Sequence, residues 1–334
     1  MAEPSAPASR QRWLPFRSWW PLFAGAATGL VLRLLFGGKP GDPYAPMMVS
    51  FVYLCPIVVG AVTVYAAERR ERRTWAYYFL APCLANVLFV IGTMAMLIEG
   101  LICAVVILPL FAVLGGVSGL VMGAICRVTK WPKQTLLTLG ALPLVLGGFE
   151  SAVPLPQRVG MVEGRVLVDA PPEVIWRSIM NAENIRAEEL GHAWIFRIGV
   201  PLPIAGTTGR TKEGAVRRVT MGKNVYFDEV IAQADEPRFV RWLYRFHPDS
   251  FPPYALDEHV VIGGHYFDLV DTSYTLEPRG DRTELAVRMR YRVSTQFNWY
   301  ADPVARFLLA DMAAANLGFY RARSEESFGT RPIR

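Results

Sequence analysis

Residues 75–126 are apolar almost without interruption, with only Glu99-Gly100 breaking the run. At about 20 residues per crossing, a stretch of this length is read as a hairpin of two membrane spans, because a water-soluble core of ordinary size has no room for it. Apolar runs at 19–36, 47–67 and 135–149 flank it. The first half of the chain therefore reads as an all-α transmembrane bundle of about five helices, with spans near 19–36, 47–67, 75–97, 101–126 and 134–149.

Charge orients these spans. Residues 1–150 carry 12 Lys+Arg against 6 Asp+Glu, whereas residues 151–334 carry 23 of each, so the whole excess of +6 belongs to the first half. It sits in an N-terminal arm over 1–18 (Arg10, Arg12, Arg17), in the cluster Arg69 to Arg73, and at Arg127, Lys130 and Lys133; the loops at 37–46 and Glu99 are not basic. Positive segments stay cytoplasmic, which puts the N-terminus inside a multi-pass inner membrane and leaves residues 151–334 on the outer, periplasmic face. The fifth run is the weak span: its 16 residues cover roughly 24 Å against a hydrocarbon core of about 30 Å, and if it only dips into the membrane, residues 151–334 are cytoplasmic. Basic residues clustered between apolar runs argue for a membrane partner and against nucleic acid. Gly37-Gly38-Lys39-Pro40 makes a poor cleavage site, so the first run is read as retained. Arg33 and Glu99 near span ends read as snorkelling side chains rather than an ion path.

After a linker at 151–159 containing Pro154 and Pro156, the pattern changes to alternation. Leu285, Val287, Met289, Tyr291 and Val293 alternate with polar or charged neighbours, which predicts a strand with one apolar face. Val240, Trp242, Tyr244 and Phe246 alternate in the same way, as do Val270, Thr272, Tyr274 and Leu276. A long helix follows over 298–323, with Asp302 and Pro303 suited to its first turn. At about 100° per residue, Tyr300, Val304, Phe307, Leu308, Met312, Ala315 and Phe319 share one side of it. Asp311 interrupts that stripe, and a buried carboxylate needs a partner or loses its charge.

The strand before DAPPEVIWRSI (169–179), the later segments DEPRFVRW (235–242) and TSYTLEPRGDRTEL (272–285), and the closing helix together resemble the START-like SRPBCC superfamily. These motifs are structural rather than catalytic, and the resemblance covers residues 160–326, leaving a tail at 327–334. It implies an α+β helix-grip fold, in which a curved antiparallel sheet wraps a long C-terminal helix around an apolar cavity. The lining it implies is Trp242, Tyr244, Phe246, Val270, Thr272 and Tyr274 from two strands, and Val287, Met289 and Tyr291 from a third. The helix would add Val304, Phe307, Leu308, Asp311, Met312 and Ala315. By the alternative reading, the same side chains fill a solid core. The apolar loop at 193–205 and the Pro- and aromatic-rich turn at 248–254 are candidates for membrane contact at the cavity mouth.

The four cysteines, Cys55, Cys83, Cys103 and Cys126, all fall in the first half and read as small apolar packing residues. His259 and His265 flank Gly263-Gly264, but the second half offers no cysteine, so neither a metal site nor a cofactor is expected. No GxSxG, HExxH, P-loop or dinucleotide fingerprint is present. The reading is a membrane-anchored binding protein for a lipid, isoprenoid or similar hydrophobic small molecule, acting as carrier or sensor, with membrane lipids as its other partner. Two alternatives stand beside it: a polyketide cyclase or aromatase in which Asp311 moves a proton, and a filled domain that recruits a protein partner.

Overall fold

The computed structural model describes residues 19–129, 133–211, 214–253, 255–257 and 259–329. The N-terminal arm, Lys130 and the tail beyond Gly329 lie outside them. The chain divides into two compact units that do not follow the sequence order.

The first unit comprises the described residues of Met1–Phe36 together with Ser50–Thr93 and Leu108–Leu146. Its helices are α1 (Trp20–Leu35), α3 (Leu54–Glu68) and most of α4 (Trp75–Ala95), α5 (Leu101–Val128) and α6 (Lys133–Glu150); a single turn, α2 (Val49–Val52), precedes α3. Small residues let these helices approach closely: a Cβ on Gly60 would lie 2.3 Å from the Gly115 carbonyl, and one on Gly119 would lie 2.1 Å from that of Tyr78. Where the basic residues cluster, Glu68 accepts from Tyr78 Oη at 2.8 Å and the Arg127 guanidinium lies 4.5 Å over the Trp75 ring. Among the described residues three helices are long and apolar enough to cross a membrane, Val49–Glu68, Trp75–Ala95 and Leu101–Val128. Trp20–Leu35 is apolar but short, so the expected five spans meet three helices of full length.

The second unit gathers Gly37–Val49, Met94–Ile107 and Gly147–Arg334. Seven antiparallel strands form one sheet in the order β1-β7-β6-β5-β4-β3-β2. They are β1 (Gln157–Val168), β2 (Pro203–Thr211), β3 (Gly214–Met221), β4 (Tyr226–Asp235), β5 (Phe239–Arg245), β6 (Phe267–Arg279) and β7 (Arg282–Ser294). Three short helices, α7 (Pro172–Met180), α8 (Ala187–Leu190) and α9 (Trp194–Arg197), follow β1, and α10 (Asn298–Gly329) closes the chain.

The alternation in β7 works as expected: Leu285, Val287, Met289, Tyr291 and Val293 are all buried. Helix α10 lies along β1 and β7 because β1 is thin there; a Cβ on Gly164 would stand 2.9 Å from Leu317 Cδ1. Register shifts in β4 (Ile231/Gln233) and β6 (Leu269/Asp271) add the local twist that lets a sheet curve around a helix. In α7, Pro172 occupies the first turn, where its missing N–H costs nothing, and Val174, Ile175, Trp176 and Ile179 point into the core. The two early segments are stitched onto this framework by hydrogen bonds: Tyr44 N to Gly147 O (3.3 Å), Gly100 N to Asp257 Oδ2 (2.7 Å) and Tyr300 Oη to Val106 O (2.5 Å).

Candidate ligand-binding cavity

Helix α10 does not fill the concave face of the sheet. Between them lies a cavity of about 240 Å³. Its helix side is Ala301, Val304, Ala305, Leu308, Leu309 and Met312, and its sheet side includes Val219, Phe227, Leu269, Met289 and Val293. Ile195, Phe196 and Val200 wall one end, drawn from the apolar loop at 193–205. Met47, Ile102 and Val106 contribute from the two early segments of the unit, so residues from three separate stretches of sequence enclose the space.

One end of this apolar space is polar. Arg217 on β3 and Glu229 on β4 are direct cross-strand partners, and both are buried. Arg217 Nη1 donates to Glu229 Oε2 at 2.5 Å, and Nη2 reaches Tyr320 Oη on α10 at 3.3 Å. The guanidinium also lies 5.5 Å over the Trp242 ring. Gly206 on β2 makes room for it, since a Cβ there would come within 2.3 Å of Nη2. Nearby, the Tyr244 and Thr272 hydroxyls are 2.6 Å apart.

Burial raises the Glu229 carboxyl above the ordinary range, while the adjacent guanidinium pulls it back down. Burial likewise raises the Tyr244, Tyr274 and Tyr320 phenols, which stay protonated near neutral pH. Arg217 Nε is buried without a hydrogen-bond partner, and the Trp242 indole N–H lies beside the Tyr244 phenol. A buried donor without an acceptor costs about 1–3 kcal/mol.

The structure divides the residues expected at the site. Trp242, Tyr244, Thr272, Tyr274, Met289, Val304, Leu308 and Met312 line the cavity. Phe246, Val270, Val287, Tyr291, Phe307, Asp311 and Ala315 lie away from it. Val270 is displaced by the bulge between Leu269 and Asp271, which inverts the alternation so that Leu269 and Thr272 share the inner face. Phe246 lies just past the end of β5, within an aromatic cluster with Phe227 and Phe251. Val287 is buried in the core, and Tyr291 donates to Asp302 at 2.9 Å.

On α10 the cavity-facing stripe runs through 301, 304, 305, 308, 309, 312, 316, 319 and 320, which meets the expected face at Val304, Leu308, Met312 and Phe319 and leaves out Tyr300, Phe307 and Ala315. Phe307 is therefore exposed, Ala315 packs into the core, and Asp311 accepts the Trp194 backbone N–H at 2.6 Å. Asp311 caps the start of α9 instead of facing the cavity. Arg217 and Glu229, the main polar groups of the site, share the phase of Val219 and Phe227 on strands the sequence reading left out. A pair of opposite charges at inward positions was the available signal.

No family model matches the chain, and no curated protein does. Solved structures do resemble about half of it. A START superfamily protein from Mycobacterium smegmatis aligns over 50% of this chain and 98% of its own, with 14% identity and a TM-score of 0.35. The ZhuI aromatase/cyclase from Streptomyces sp. R1128 aligns over 51% and 96%, with 15% identity and a TM-score of 0.33. A norcoclaurine synthase point mutant from Thalictrum flavum aligns over 52% and 99%, with 15% identity and a TM-score of 0.31. At these values the functional reading rests on the cavity itself.

Proposed function

We propose that this protein is a membrane-anchored binding protein for an amphipathic hydrophobic molecule, a lipid or isoprenoid carrying an oxygen function at one end. The observation that carries the reading is the cavity: a largely apolar space between sheet and helix whose lining includes the polar cluster of Arg217, Glu229, Tyr244, Thr272 and Tyr320. The apolar body of a ligand would be held by area, at about 0.8 kcal/mol per buried methylene, and its oxygen by the polar cluster. The mechanism is partition between bilayer and cavity, and the anchor raises the effective concentration of the site beside its ligand pool.

The grouping of segments supports the topology read from charge. Gly37–Val49, Met94–Ile107 and Gly147–Arg334 belong to one unit, and the basic clusters at Arg69 to Arg73 and at Arg127 belong to neither early segment. That arrangement agrees with an outer, periplasmic position for the sheet and for the loops at 37–46 and Glu99, with the basic loops cytoplasmic.

A second reading is a cyclase-like enzyme, and the buried ionisable cluster favours it. Glu229, with its raised affinity for a proton, is the group in this cavity suited to general acid–base work. The test uses the full chain, since residues 151–334 alone would lack Met47, Ile102 and Val106 from the wall. Protein purified in mild detergent is extracted with organic solvent and the extract is analysed by mass spectrometry. A reproducible molecule recovered with the wild type and lost from Ala305→Phe, which fills the cavity, is the expected result. Equal recovery from both would overturn the binding site, and conversion of the recovered molecule on incubation would favour the enzyme.

A further inference from the structure

The early segment that borders the cavity brings with it a cluster of metal-binding side chains. Glu99 and Cys103 stand one turn apart at the start of α5, and Asp257 comes from the connection between β5 and β6. A carboxylate oxygen of Glu99, Cys103 Sγ and a carboxylate oxygen of Asp257 all lie within 4.8 Å of one another. His259 borders this group on the carboxylate side: its Nε2 is 3.9 Å from Glu99 Oε2 and 4.0 Å from Asp257 Oδ1. Its side chain is only 9% exposed, and its Nδ1 has no hydrogen-bond partner.

We propose that Glu99, Cys103, Asp257 and His259 form a site for a divalent metal ion of the zinc type. Three observations carry it. The His259 separations are too long for hydrogen bonds. They sit a few tenths of an ångström above the roughly 3.3–3.7 Å edges of a tetrahedron built from zinc bonds of about 2.0–2.3 Å. The Asp257 side chain is 4% exposed, its Oδ1 accepts the His259 backbone N–H at 3.2 Å, and among the described residues no Lys or Arg pairs with it within 4.0 Å. A buried carboxylate in that position needs a positive charge.

The donor set also selects the metal. One thiolate and one imidazole alongside two carboxylates suit zinc better than magnesium or calcium, which prefer all-oxygen shells. Asp257 is already oriented, because its Oδ2 accepts the Gly100 N–H at 2.7 Å. Counting ligands within the second half alone hides this site, since its cysteine and one carboxylate come from residues 94–107. His259 and Ile102 both line the cavity, so a bound ion would clamp the β5–β6 connection to the first turn of α5 beside the ligand. The inference stands independently of what the cavity binds.

The experiment uses the full-length chain with Cys55, Cys83 and Cys126 replaced by serine, stripped with a chelator and titrated with cobalt(II), then with zinc(II). One equivalent of cobalt should bind, giving a thiolate-to-cobalt charge-transfer band and tetrahedral ligand-field bands that zinc abolishes. Cys103→Ser should remove the charge-transfer band, and His259→Gln should weaken binding by more than the about 10–100-fold that an outer-shell partner is worth. Metal analysis of the stripped and reloaded wild-type chain needs no variant. Substoichiometric metal there, or a charge-transfer band that survives Cys103→Ser, would overturn the site.

Discussion

The Arg217–Glu229 pair permits a quantitative test. Its side chains are 6% and 8% exposed and its atoms are 2.5 Å apart. At an effective dielectric constant of about 20, two unit charges at that distance attract by roughly 7 kcal/mol. Withdrawing each ion from water costs several kcal/mol, so the pair as a whole contributes close to zero, and what matters is symmetry. Glu229→Gln leaves an uncompensated guanidinium in the cavity wall, and Arg217→Met leaves an uncompensated carboxylate; each should destabilise the fold by about 3–5 kcal/mol. At roughly 2–4 °C per kcal/mol for a domain of this size, that lowers the Tm by about 6–20 °C. Changing both together removes both buried charges and should return the protein to within about 1 kcal/mol of wild type, or above it. Thermal unfolding in detergent, followed by tryptophan fluorescence, gives the four corners of the cycle. Single variants that cost less than about 1 kcal/mol, or a double variant as unstable as either single, would show that the pair is solvated and that the cavity is wet at this end.

Three further outcomes follow from the geometry. Hydrogen bonds from Arg323 lower the Glu189 carboxyl to about 2, so its contribution is complete above the ordinary carboxylate value near 4.5 and is lost as pH falls from there towards 2; Glu189→Gln should flatten the acid limb of a stability–pH curve, and an unchanged limb would refute the assignment. Asp311→Ala should cost about 1 kcal/mol through the lost bond to Trp194 N yet leave recovery of the bound molecule unchanged, whereas loss of the molecule would return Asp311 to the site. In a chain otherwise free of cysteine, Asp42→Cys and Arg210→Cys should react with an impermeant maleimide from the periplasmic side and Arg72→Cys only after permeabilisation; labelling of Asp42 and Arg72 from the same side would break the proposed topology.

The sequence made the sheet legible where alternation was uninterrupted, and β7 shows why: five inward positions in a row leave a single phase. It failed at Val270 because a bulge shifts phase without a Gly or Pro to mark it. On α10 the apolar residues spread over more than half the circumference, so Phe307 and Leu308 were both credible inward positions and contact decided for Leu308. Asp311 looked buried because its neighbours are apolar, but a backbone N–H from α9, more than a hundred residues earlier, was waiting for it. The cavity wall at Met47, Ile102 and Val106 and the donor cluster around Asp257 had no local signature at all. They arise from segments that look like loops between apolar helices, and sequence distance conceals such pairings.

The pairing of β1 with β7 has a consequence for how the protein is made. Gln157 sits opposite Ser294, so β1 leaves the ribosome more than a hundred residues before its partner exists. At about 5–20 residues per second that wait is on the order of ten seconds, with the backbone N–H and C=O groups of β1 unpaired. Unless something shelters β1 in the meantime, vectorial synthesis favours mispairing, and a chain stopped short of β7 would leave β1 without its partner. Maturation should therefore depend on a holding chaperone or on rapid synthesis through Ser294.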